Sequence, residues 1–83
     1  MPMYYVYILY SINFDSFYIG FTADLERRLQ HHNDGLTKST KAKRPWRIVY
    51  TEKFEVQLDA LRRERFLKNQ RNKSFYKKLC NLN

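Results

Sequence analysis

Covalent restraint is almost missing from this chain. Its 83 residues include one cysteine, Cys80, which cannot form an internal disulfide and fits a reducing compartment, so the cytoplasm is the expected location. Cys80 also lies far from the adjacent His31 and His32, and that spacing makes no zinc site. Chain breakers are scarce too. Two glycines and two prolines against 43% apolar residues exclude a disordered tail and indicate a folded domain. No apolar run approaches the ~20 residues that a membrane span needs. The opening MPMYYVYILY has neither a basic leader nor a small-residue cleavage site, so no signal peptide is expected. There is too little chain to bury a second core, and residues 1–83 read as one domain.

Acidic residues are the other shortage. Eight Asp and Glu face sixteen Lys and Arg, a formal charge of +8. A domain this basic repels itself unless an acidic partner meets it. Nucleic acid comes first as that partner and an anionic membrane surface second. A soluble protein that is simply basic is the plain alternative.

Aromatic residues, by contrast, are crowded at one end. The run YYVYILYSINFDSFYIG, Tyr4 to Gly20, holds five of the seven tyrosines. Its β-branched and aromatic content suits two strands, near 4–10 and 17–21, joined by the turn residues of SINFDS. TADLERRLQHHNDG then changes period. Thr22 can cap a helix near 23–33, with Asp24 and Glu26 in its first turn and Gly35 ending it in a left-handed turn. A basic loop, LTKSTKAKRPW, precedes a third strand near 47–54. A long helix from Val56 to Gln70 and a short one from Ser74 to Cys80 complete the chain. The expected fold is α+β: a small three-stranded antiparallel sheet flanked by helices, in the order ββαβαα.

Four groups of residues stand out. If Tyr10 lies opposite Phe17, then Leu9 faces Tyr18 and Tyr7 faces Gly20. Tyr7 and Tyr18 then share a sheet face as diagonal neighbours, roughly 7–8 Å apart, with a notch at Gly20. Two phenols and a notch make a site, or else two sheet aromatics with wet hydroxyl tips. Arg28 and His32 are i, i+4 and border the Leu25/Leu29 stripe of the first helix, where an arginine can hold a phosphate by its planar fork or simply cover apolar surface. In DALRRERFLKN, residues Ala60, Leu61, Glu64, Leu67 and Lys68 form one helical stripe, so Glu64 sits on the face expected to be buried. A buried carboxylate needs a cation: a metal, or an arginine in a structural salt bridge. No second acid joins it, so a catalytic metal would be single and mostly water-ligated, as Mg²⁺ prefers. Finally, Lys38, Lys41, Lys43, Arg44 and Arg47 read as a flexible phosphate-contacting segment, or as a solvated loop.

Together these pieces resemble the GIY-YIG nuclease superfamily. YVY at Tyr5–Tyr7 is similar to its first motif, although Tyr5 and Val6 stand where Gly and Ile are usual. YIG at Tyr18–Gly20 is similar to its second motif. FTADLERRLQHHN resembles the helix that carries an arginine and, four residues on, a histidine. ALRRERFLK resembles the helix that carries the metal-binding glutamate, and HNDGLTKSTKAKRPWRIVY a central segment of the small stand-alone bacterial members. The resemblance implies a metal-dependent phosphodiesterase acting on nucleic acid, DNA ahead of RNA, as in excision-repair nucleases. It implies that Tyr7 orients or activates the attacking water, with Tyr18 as its partner. Arg28 would clamp the phosphate, Glu64 would bind a single Mg²⁺ or Mn²⁺, and His32 would assist. None of Asn69, Asn72 and Asn81 matches by spacing the asparagine that larger members carry. The family's enzymes usually carry a second domain that selects the target; with none in view, substrate choice is expected to come from the core, a partner protein or nucleic-acid shape. The alternative is a nucleic-acid-binding module that keeps the fold but cuts little or nothing.

Overall fold

The computed structural model describes residues 2–82. Strands β1 (Tyr4–Ser11), β2 (Ser16–Thr22) and β3 (Arg47–Phe54) form one antiparallel sheet in the order β2-β1-β3. Three helices accompany it: α1 (Leu25–Asn33), α2 (Gln57–Lys68) and α3 (Lys73–Leu79). The order is the ββαβαα of the sequence reading. β1 is the central strand, which is why it reads as an unbroken apolar and aromatic run: Val6, Tyr7, Ile8 and Leu9 are all buried.

The hairpin register is the one that puts Tyr7 and Tyr18 on a common face. Tyr10 pairs with Phe17, Leu9 with Tyr18 and Tyr7 with Gly20. Pairing continues one step further, to Ser11 and Ser16, so the loop is shorter than expected and turns through Asp15 at φ 47°. Asp15 accepts a hydrogen bond from Tyr10 Oη (2.8 Å) and pairs with Lys73 and Lys77, which ties α3 to the turn.

Each face of the sheet has its own core. Val6, Ile8 and Ile19 pack with Ala60 and Leu67 of α2 and Tyr76 of α3. Tyr7 and Leu9 face the other way, with Tyr18, Ile48, Trp46 and the α1 leucines Leu25 and Leu29. On β3, Ile8 pairs with Tyr50 but Leu9 with Ile48, so Val49 is the extra residue of a bulge.

Several element limits differ from expectation, each for a local reason. Asp24, not Thr22, caps α1. Its carboxylate accepts from Arg27 N (3.1 Å), while the Thr22 hydroxyl is spent on the Asp24 backbone. α2 ends at Lys68 because Arg71 turns left-handed (φ 47°), and Asn72 then caps α3 by accepting from Phe75 N. The inward stripe of α2 is Ala60, Glu64 and Leu67. Leu61 is 38% exposed and belongs to the outer side with Leu58. The basic loop is not a loose segment either. It forms a short 3₁₀ turn at Lys41–Lys43 and is pinned by buried Thr40 and Trp46.

Candidate active site

The register that places Tyr7 opposite Gly20 also leaves the space Tyr7 fills. Its ring leans over the glycine so closely that a Cβ there would overlap the phenol oxygen and Cζ. From this position Tyr7 Oη meets two side chains of α1. Arg28 Nε donates to it (3.3 Å), and it shares a hydrogen bond with His32 Nε2 (3.0 Å). Tyr18 sits with its ring edge-on to His32, centroids 4.9 Å apart. Helical spacing explains why both α1 residues arrive together. Arg28 and His32 are one turn apart beside Leu25 and Leu29, which seat the helix on the tyrosine face.

His32 is fully buried. Its other nitrogen, Nδ1, lies 2.8 Å from Thr40 Oγ1, and that hydroxyl also reaches the Thr37 carbonyl (3.3 Å). Asn33 holds the same segment in place. It donates to Trp46 O and accepts from Trp46 N, while Trp46 Nε1 donates to Thr40 O (2.8 Å). Thr40, Asn33 and Trp46 carry no site role in the sequence reading; they lie within HNDGLTKSTKAKRPWRIVY, the segment that resembles the small stand-alone family members.

Burial decides the electrostatics. It pushes the Tyr7 phenol above its ordinary value; the bond and charge of Arg28 pull it back only in part, and Tyr18 and Glu64 add to the rise. A phenol lowered by Arg28 is therefore not what the structure presents. Burial, helped by the charges of Arg28 and His31, drops His32 to about 4, so the ring is neutral at pH 7. Neither ring nitrogen is free for a metal. The hydrogen bond to Tyr7, against an opposing effect of burial, keeps Arg28 firmly protonated.

Arg28 is the half-buried member and opens outward. It lines a depression of about 220 Å³ with Thr22, Asp24, Arg27 and His31. Glu64 approaches from α2. Its side chain is 18% exposed, its charge is felt at Tyr7, and its carboxylate lies 3.5 Å from Lys68 Nζ. The partner is thus a lysine one turn along, not an arginine. Among the described residues no three His, Cys, Asp or Glu side chains gather as a metal cage. One accessible carboxylate beside phenols suits a hard ion that keeps most of its waters, as Mg²⁺ does, and does not suit zinc.

The basic loop divides. Arg44 donates to the carbonyls of Lys41 (2.8 Å) and Asn33 (3.5 Å) and lies over Gly35, which has φ +77°. Lys43 reaches Ser16 Oγ (3.4 Å). Lys38, Lys41 and Arg47 are exposed.

Known proteins match this chain along most of its length. The GIY-YIG catalytic domain family matches residues 3–79. A UPF0213 protein of Staphylococcus saprophyticus is 40% identical over 65 residues, 77% of this chain and 78% of that one. Another, from Pediococcus acidilactici, is 37% identical over 81 residues, covering 94% and 82%. The solution NMR structure of a UPF0213 protein from Bacillus halodurans superposes with a TM-score of 0.57 at 33% identity, covering 96% of this chain and 84% of that one. No helix among the described residues is long and apolar enough to cross a membrane.

Proposed function

The chain belongs to the GIY-YIG catalytic domain family, of nuclease type, and from that premise we propose that it hydrolyses phosphodiester bonds in nucleic acid at the Tyr7–Arg28–His32 cluster, with Tyr18 and Glu64 beside it. The observation that carries this reading is the Tyr7 hydroxyl, held between a guanidinium and a neutral imidazole. Arg28 binds the phosphate from the adjoining depression and offsets charge that builds on its oxygens. Tyr7 stays protonated at neutral pH and orients the attacking water through its oxygen. Tyr18 packs His32 in place, and His32 receives the phenol's hydrogen bond. Glu64 would hold a Mg²⁺ or Mn²⁺, which when bound neutralises phosphate charge and makes water more acidic. Arg27, His31, Lys38, Lys41, Lys43 and Arg47 supply sequence-independent phosphate contacts, with Arg44 bracing the loop that presents them.

The second reading, a binding module, rests on burial. Tyr7 is only 1% exposed, so its hydroxyl has little room for an attacking water. The test is a panel of single-stranded, duplex, flapped and branched DNA and RNA, incubated with and without Mg²⁺ or Mn²⁺. Wild type should cut at least one substrate only with metal. Glu64→Gln should abolish cutting while binding stays equal or tightens. Its pair with Lys68 is an i, i+4 contact within one helix to a half-exposed lysine, so stability should change by no more than ~0.5 kcal/mol. Binding without cleavage across the whole panel would replace the enzyme with the binding module.

A further inference from the structure

The hydrogen bonds around His32 have directions as well as lengths. Their two ends are unambiguous. The Thr37 carbonyl can only accept, and the Arg28 guanidinium can only donate. Start from Thr37. The Thr40 hydroxyl reaches that carbonyl at 3.3 Å, beside the N–H groups of Thr40 and Lys41 from which the carbonyl also accepts, and with its hydrogen there the hydroxyl accepts from His32 Nδ1 at 2.8 Å. Nδ1 must then carry the ring hydrogen. The ring is neutral, so Nε2 is bare and takes its hydrogen bond from Tyr7 O–H. The Tyr7 oxygen, having pointed its hydrogen at Nε2, keeps lone pairs for Arg28 Nε–H. Every donor in the chain Arg28, Tyr7, His32, Thr40, Thr37 finds an acceptor. Reversing the tautomer breaks this. Nε2–H would aim at the Tyr7 oxygen, and the buried phenol hydrogen would lose its acceptor, since Arg28 has none to offer.

We infer that Thr40 is a positioning residue of this site: its hydroxyl locks His32 in the Nδ1–H tautomer, so that Nε2 receives the Tyr7 phenol proton and the Tyr7 oxygen turns its lone pairs toward Arg28 and the bound phosphate. The catalytic half of this rests on the nuclease reading; the tautomer does not. Thr40 is suited to the task because it is itself fully buried and its backbone carbonyl is anchored by Trp46 Nε1. Its contribution lies in where protons go. As the attacking water's oxygen bonds to phosphorus and the bond to the leaving oxygen breaks, the water's proton moves to the Tyr7 oxygen. Tyr7's own proton moves to Nε2. The leaving oxygen takes a proton from solvent, and His32 returns its extra proton through Tyr7, so one water is consumed per bond cut. In the other tautomer Nε2 is already occupied and the relay has no terminus.

Two variants of the whole chain test this. Thr40→Val keeps the β-branched shape and removes the hydroxyl, while Thr40→Ser keeps the hydroxyl. Long-range ¹H–¹⁵N spectra of histidine-labelled protein read the tautomer directly, with His31 as an internal reference. Wild type and Thr40→Ser should show a protonated Nδ1 and a bare Nε2 at His32, and Thr40→Val should move the hydrogen to Nε2. The single-turnover cleavage rate of Thr40→Val should fall on the order of 10²-fold at unchanged KM, with Thr40→Ser near wild type. A wild-type spectrum with hydrogen on Nε2 overturns the inference, even if Thr40→Val fails to fold. So does a Thr40→Val protein that switches tautomer and keeps its rate. A wild type that cuts nothing yet shows the expected switch would sink the nuclease reading and leave the tautomer lock standing.

Discussion

A histidine with no exposure leaves a mark on the pH dependence of stability. At pH 7 His32 is neutral both folded and unfolded. As pH falls, the unfolded chain takes the proton near the ordinary value of 6.5, but the folded protein resists until about 4. Protons therefore favour the unfolded state across that window, and stability drops as pH falls through it. The full loss is on the order of 3 kcal/mol. Thermal melts at pH 7, 6, 5 and 4 should show the decline beginning well above the carboxylate range. His32→Gln, which cannot titrate, should flatten the stretch between pH 6.5 and 5. An equally steep decline in the variant would mean that His32 is not kept neutral by its surroundings.

At the scale of elements, α2 carries two glutamate–cation pairs of different weight. The first crosses to the sheet. Arg63 donates to both Glu52 oxygens of β3, through Nε at 2.9 Å and Nη2 at 3.0 Å, and Tyr50 Oη donates to the same carboxylate at 2.5 Å. Burial raises the Glu52 pKa, but the bonds from Arg63 and Tyr50 outweigh it and hold the carboxyl below its ordinary value. The second pair, Glu64 and Lys68, stays within the helix and joins α2 to nothing else. Glu52→Gln should therefore lower stability by about 1–2 kcal/mol, after allowing for solvent at the half-exposed Arg63, whereas Glu64→Gln should be nearly silent. Urea denaturation of the two variants checks this directly. A larger loss at Glu64 than at Glu52 would make Glu64 the structural acid and count against the metal-binding role proposed for it. Both glutamates look alike in sequence; what separates them is which of their neighbours belongs to another element.

For the molecule as a whole, the charge of +8 sets how it meets an acidic partner. Binding carried mainly by phosphate contacts should be weak, with Kd on the order of 10⁻⁴–10⁻⁶ M at physiological salt, and should weaken steeply as salt rises. Lys41 and Lys43 together should account for up to ~2 of the slope of log Kd against log salt. Arg44 differs. Its guanidinium braces the Lys41 and Asn33 carbonyls, so Arg44→Ala should lower the melting temperature more than either lysine change. Titrations of fluorescent DNA and RNA at several salt concentrations, run beside melts, separate the two effects. An affinity indifferent to salt would rule out the electrostatic picture.

The sequence by itself determined the elements and their order, because these follow from local rules. Once Tyr10 is set opposite Phe17, period-2 alternation puts Tyr7 and Tyr18 on a common face, and a 3.6-residue repeat puts Arg28 and His32 one turn apart. The same repeat puts Glu64 on the inward stripe of α2, while a metal-binding role for it is what the family resemblance implies. Tertiary structure alone decided the rest. It set the protonation of Tyr7, since burial outweighs the pull of Arg28 and no spacing reports burial. It divided the exposed cations of the basic loop between Arg44, which braces backbone carbonyls, and those that do not. It turned the undistinguished Thr40 toward His32, eight residues away along the chain, because α1 and the Trp46 anchor fold that loop back over the tyrosine face. Local rules act over a few residues and can be read from letters. The direction of a hydrogen bond between buried side chains depends on every partner within reach, and those partners are assembled only when the chain closes on itself.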